Sequence, residues 1–143
     1  MSVNAQLGTY SVLVTGDMTN SATQTANLDT FGGSYASLVF SFAAEVNTNA
    51  VSPTVSLLES DDTVVTNFAT FDSNFEKSDW DLTGAICGVY HVNMLGRKRY
   101  LRVSLTTATT TNDDIECHVV GQLTRQGNPP TSTADMADVA VIG

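Results

Sequence analysis

Positive charge is scarce in this sequence. Only six of its 143 residues are Lys or Arg, against 15 Asp or Glu, and the formal net charge is −9. Affinity for DNA or RNA rests on many cation–phosphate contacts, so the balance argues against nucleic-acid binding. It argues equally against an anionic membrane surface. Long apolar runs are missing as well: none approaches the roughly 20 residues that span a bilayer as a helix. The opening MSVNAQLGTY shows no basic region followed by an apolar one, so it does not read as a secretory signal.

Reactive side chains are equally sparse. There are two cysteines, Cys87 and Cys117, in no CxxC pair. They read as core thiols, and a bridge between them depends on a Cα separation that sequence does not give. Cys87, His91, Cys117 and His118 have the right chemistry for zinc but the wrong spacing. On a strand, Cys87 and His91 lie roughly 13 Å apart, and neighbours such as Cys117 and His118 point to opposite faces. Tetrahedral zinc needs four ligands within about 2.3 Å of one point. Asp79 and Asp81 flank the only Trp, Trp80, an arrangement that would suit a glycosidase. Carboxylates two apart are also ordinary on a solvated strand face. ESDD (59–62) and NDD (112–114) lack calcium-loop spacing and read as turns. There is no GxSxG, and no Gly-rich loop opens a helix. The expectation is a protein that is not an enzyme and takes no cofactor or metal.

What is abundant is Thr, Ser and Asn. Charged residues make up 15%, below the roughly 25% of an ordinary soluble domain. Thr favours strands because its β-carbon is branched. The hydrophobic pattern has period two. In SYASLVFSFAAEV, Ala36, Leu38, Phe40, Phe42 and Ala44 share a face, and Ser37, Val39, Ser41, Ala43 and Glu45 share the other, as in a half-buried strand. TYSVLVT (9–15), PTVSLLES (53–60), GVYHV (88–92), RYLRVSLT (99–106) and IECHVVGQL (115–123) alternate likewise. Pro53 stands at a strand entrance, where a missing N–H matters least. Turn signals separate these runs at 15–17, 31–33, 59–62, 94–98 and 110–114. FATFDSNFEKSDWDLTG (68–84) is ambiguous between one helical turn and a loop packed by its own aromatics. The pattern predicts an all-β antiparallel sandwich occupying residues 1–127, with an N-terminal arm included. The texture changes after Gly127. Pro129 and Pro130 interrupt regular structure, and residues 128–143 read as a tail or arm. There Met136, Val139, Ala140 and Ile142 suit either a short helical stripe or an added strand.

One stretch breaks the acidic rule. GRKRYLRVSL (96–105) holds Arg97, Lys98, Arg99 and Arg102, four of the six cations. Gly96 reads as the turn before a strand, with Arg102 facing outward beside Tyr100. Three explanations compete: neutralisation by the carboxylates of ESDD or DWD, contact with an acidic partner or second copy of the chain, and phosphate binding. Arg and Tyr are enriched at protein interfaces, and Arg forms bidentate bonds with carboxylates. The candidate interaction site is therefore Arg97, Lys98, Arg99, Tyr100 and Arg102.

Four segments carry a family resemblance: LDTFGGSYASLVFSF (28–42), PTVSLLESDD (53–62), DLTGA (81–85) and GRKRYLRVSLT (96–106). In this order they resemble the head decoration, or cement, proteins of tailed bacteriophages. The resemblance implies a β-sandwich, often jelly-roll-like, on the outer surface of the virion capsid. It implies binding to the major capsid protein and self-association as a homotrimer. TYSVLVTG and the tail after Gly127 depart from the shorter members and suit arms that cross to neighbours. Two alternatives remain: a tail, neck or fibre module of the same kind of particle, and a carbohydrate-binding sandwich built on Trp80.

Overall fold

The computed structural model describes residues 10–19, 22–44, 52–71, 76–77, 84–108, 114–125 and 138–142. They form ten strands in chain order: β1 (Tyr10–Met18), β2 (Thr23–Asp29), β3 (Tyr35–Phe42), β4 (Ser52–Ser60), β5 (Ala69–Thr70), β6 (Glu76–Lys77), β7 (Ile86–Asn93), β8 (Tyr100–Ala108), β9 (Ile115–Thr124) and β10 (Asp138–Ile142). No α-helix occurs among the described residues; a single 3-10 turn lies at Val65–Asn67. One sheet runs β1-β9-β3-β7-β10. The other runs β2-β8-β4-β5, with β6 also against β4. All the pairings are antiparallel except that of β10 with β7. The all-β sandwich expected from the sequence is therefore present, and the end of the chain supplies a strand, not a helical stripe.

Alternation decides what lies between the sheets. Ala36, Leu38, Phe40 and Phe42 of β3 are fully buried, as are Leu101, Val103 and Leu105 of β8 and Val55 and Leu57 of β4. Tyr90 and Val92 of β7 and Ile115, Cys117 and Val119 of β9 complete one continuous core with them. Phe40 meets Tyr90 at a tilted 5.1 Å between ring centroids. Each buried Val, Leu, Ile or Phe among them contributes about 1.5–3 kcal/mol by leaving water. An exposed ion pair adds about 0–1 kcal/mol. The interior layer, not the surface charge, therefore holds the sandwich together.

β1 departs from strict alternation. Its register against β9 shifts between Val12 and Val14, a bulge that turns two successive residues inward. Val14 is buried and Leu13 packs against the core, while Val12 stands exposed. The extra inward side chain needs room. Gly121 of β9 provides it: a Cβ there would lie 3.1 Å from Leu13 Cδ1 and 3.3 Å from Leu28 Cδ2. The single gap in the apolar alternation of IECHVVGQL is thus filled from the neighbouring strands.

β3 differs from the half-buried expectation. Tyr35 and Ser37, on its outer face, are buried too, and so are Val89 and His91 of β7. The register sets Ser37 opposite His91 and Val39 opposite Val89, so these side chains shield one another at the centre of the sheet. Ala44 lies beyond the strand and is exposed. The ambiguous stretch after Phe68 gives β5, the buried Phe71 and β6; its residues 72–75 and 78–83, with Trp80, lie outside the described residues. The 3-10 turn falls just upstream of it.

Candidate interaction site at one end of the sandwich

The GRKRY segment is positioned by the start of β8. Tyr100 pairs with Asp29 at the end of β2 and with Ser60 at the end of β4. In the other sheet Tyr35 pairs with Asn93 and Thr124, at the ends of β7 and β9. The β2–β3 turn, the β4–β5 loop and the β7–β8 turn therefore share one end of the molecule. Backbone hydrogen bonds join the β2–β3 turn to the β7–β8 turn and to the end of β9: Thr30 N–H to Arg99 C=O at 2.9 Å, Met94 N–H to Ser34 C=O at 2.9 Å and Ser34 N–H to Thr124 C=O at 2.7 Å. Two glycines make the turns possible. Gly32 (φ 76°) and Gly96 (φ 74°) adopt the left-handed conformation that other residues rarely take. The Arg125 guanidinium lies 3.2 Å from where a Gly32 Cβ would be.

Each cation of the cluster has its own setting. Arg99 makes a bidentate pair with Asp29, Nε to Oδ1 at 3.0 Å and Nη2 to Oδ2 at 2.6 Å. That hydrogen bond holds the Asp29 carboxyl below its ordinary range and raises Arg99 further. The same guanidinium lies over the rings of Phe31 and Tyr100. Arg97 approaches Glu59 at 3.9 Å and covers the ring of Phe71 at 4.5 Å. Lys98 gives its backbone N–H to Glu59 Oε2 at 3.3 Å. Asp62 organises the β4–β5 loop, accepting from Asn67 Nδ2 at 2.8 Å and from Val64 N–H at 2.9 Å, and these bonds lower its pKa. Neutralisation by ESDD, one of the three sequence readings, is seen for Arg97. The DWD carboxylates lie outside the described residues. The partner of Arg99 is Asp29, from a segment no sequence reading connected with it.

Arg102 behaves differently. It shares the outer face of β8 with Tyr100, as alternation requires, yet is only 8% exposed. Its Nε donates to Asn27 Oδ1 at 2.8 Å, and its guanidinium carbon sits 3.6 Å from the centre of the Phe68 ring. Beyond it the same face carries Thr23, Thr25, Ser104, Thr106, Ser56 and Thr54 in register, a lattice of hydroxyls. Thr23 and Thr106 bond across the strands at 3.1 Å.

Both histidines lie on the outer face of the other sheet, each with its Nδ1 sharing a hydrogen bond with a hydroxyl on the next strand. His118 bonds Thr15 Oγ1 at 2.9 Å, and its Nε2 meets Glu116 Oε1 at 3.0 Å. The order hydroxyl, imidazole, carboxylate is that of a nucleophile, its base and its orienter. Glu116 is 57% exposed, however, and water reaches the row from the open side of the sheet, where a preorganised low-dielectric site would exclude it. His91 bonds Ser37 Oγ at 2.9 Å and is buried, with Nε2 lacking a partner. Burial lowers its pKa, so the ring is neutral near pH 7. Cys117 is buried and its thiol is pushed up to about 12, chiefly by desolvation. Cys87 is likewise a free thiol and stands one residue out of phase with the core positions of its strand. No group of three or more His, Cys, Asp or Glu among the described residues is placed to hold a metal ion.

The fold and this end together define a class: an all-β sandwich that presents a braced, mixed-charge loop surface. No protein-family model, curated protein or solved structure gives a significant match to the chain. The family resemblance described above therefore rests on its sequence segments.

Proposed function

We propose that this chain is a structural virion protein of the decoration type, which binds the outside of an assembled phage capsid and stabilises the shell. One observation carries the reading. Three of the four segments that resemble decoration proteins are far apart in sequence but meet at one end of the sandwich. Asp29 of LDTFGG pairs with Arg99 of GRKRY, and Glu59 of LLESDD pairs with Arg97. A surface assembled from those segments is suited to contact, since its charges are already fixed and its aromatics flank them. Such a protein needs no chemistry. It stabilises a shell by binding the assembled form and not the free subunits, which shifts the equilibrium by mass action. Repetition over a lattice turns modest single contacts into high avidity.

The test is co-sedimentation of the purified chain with intact particles of a tailed phage whose genome encodes it. Binding to mature shells, many copies per particle and none to unassembled shell protein, is the expected result. A few copies at one vertex would instead favour a tail, neck or fibre module. No binding to any particle form would remove the proposal.

A further inference from the structure

We infer that this loop end is a self-association surface, through which two or more copies of the chain meet end to end. The inference names a second copy of the chain as the occupant of the loop end described above, and rests on the reading above only in expecting copies to associate.

Apolar exposure is the first observation. Five large hydrophobic residues are exposed among the described residues, and four of them are in the loops at this end. Phe31 (78% exposed) tips the β2–β3 turn, Leu95 (61%) the β7–β8 turn, and Val64 and Val65 (54% and 71%) lie in the β4–β5 loop. Scattered single apolar residues on a surface are ordinary, but a group confined to one end marks a contact. The fifth, Val12, is on the edge strand β1, and strand pairing or the bulge accounts for it.

Charge selects the occupant. Arg97, Lys98, Arg99, Arg102 and Arg125 lie at or next to this end, together with Asp29, Glu59, Asp61 and Asp62. Among the described residues, five cations against four carboxylates leave it close to neutral. The rest of the sequence has one Lys and eleven carboxylates. At the opposite end, among the described residues, are Asp17, Asp114 and Glu116. Two copies approaching by that opposite end would bring like charges together. Approaching by their loop ends, each offers apolar tips and charges of both signs to an equivalent set, the self-complementarity that a two-fold axis requires. The ten residues of β9 extend roughly 30 Å, which separates the acidic ends from the contact by several screening lengths at physiological salt. The loops are already tied to one another by backbone and ion-pair contacts, so little conformational freedom remains to be lost on association.

The experiment is sedimentation equilibrium of the purified full chain from low to several hundred micromolar, without any particle present. Wild type is expected to associate reversibly. Phe31→Ser with Leu95→Ser is expected to weaken the association by roughly tenfold or more, the effect of removing central apolar anchors. Val12→Ser is expected to leave it unchanged, and matching urea midpoints confirm that the variants fold. A wild-type chain that stays monomeric throughout overturns the inference. So does association that survives the double change or is weakened equally by Val12→Ser. Particle binding is read in a separate assay, so a monomer that still coats shells refutes this surface while sparing the function, and an oligomer that ignores shells does the reverse.

Discussion

Among the described residues, the two outer faces of the sandwich each bury one basic side chain, and they do it in opposite ways. His91, on the face of β3 and β7, is 6% exposed; Arg102, on the face of β2 and β8, is 8% exposed. An imidazole can lose its proton, so His91 enters the sheet neutral, with one hydrogen bond to Ser37 and one ring nitrogen unsatisfied. A guanidinium cannot lose its proton in a protein. Arg102 is therefore surrounded: Asn27 accepts from its Nε, and the Phe68 ring covers its face. Similar burial with different charge chemistry calls for different neighbours. On each face the neighbour comes from a strand or loop distant in sequence.

The largest effect should come from placing a permanent charge where His91 sits. His91→Arg is expected to destabilise the fold by about 3–5 kcal/mol, since Ser37 is no substitute for a counter-ion. Urea unfolding measures it, and a loss below about 1 kcal/mol would show that this face accommodates charge as readily as the other. Asn27→Ala should cost about 1–3 kcal/mol by removing the acceptor of a buried donor. The same assay serves, with unchanged stability as the contrary result. The next effect is a pH slope. The folded pKa of His91 lies below its ordinary 6.5, so the unfolded chain takes up that proton first as pH falls. Its contribution is complete above about pH 6.5 and is lost as pH drops from there to the lower folded value. The slope reaches at most about 1.4 kcal/mol per pH unit for one proton. His91→Gln should flatten it, and an identical slope in the variant would assign it to other groups. The smallest effect belongs to the exposed pair. Asp29→Asn should cost no more than about 1 kcal/mol at pH 7. Asp29 titrates below its ordinary value, so its contribution is present above about pH 3.8 and disappears as pH falls through the lower folded value. The difference between variant and wild type should shrink over that range.

Much of the sandwich was legible because inward positions follow a simple rule. Leu101, Val103 and Leu105, or Ile115, Cys117 and Val119, could be assigned to one face from spacing alone. β2 was not found: TQTANLD has one large apolar residue, and its strand character comes from pairing with β8. The bulge at Leu13 was equally hidden, since a shift of register leaves no mark until the partner strand is known. Of the candidate site, the gathering of Arg97, Lys98 and Arg99 was visible as composition. Their partners were not, because Asp29 and Arg99 are 70 residues apart and meet only through the β2–β8 register. Arg102 shows the limit of alternation most clearly. Period two gives the face on which a side chain lies, but not whether a ring such as Phe68 lies over it. A charge reversal meant to probe the surface therefore belongs at Arg99. At Arg102 it would disturb the sheet as well.

The pairing of β1 with β9 joins Tyr10 to Gln122, so an early-synthesised segment acquires its hydrogen-bond partner only after most of the described chain has left the ribosome. Until then the bulged strand has no ladder and Leu13 no cleft over Gly121. Closure of so long a loop delays the reward of pairing, which places the folding time in the millisecond-to-second range of sandwiches dominated by remote contacts.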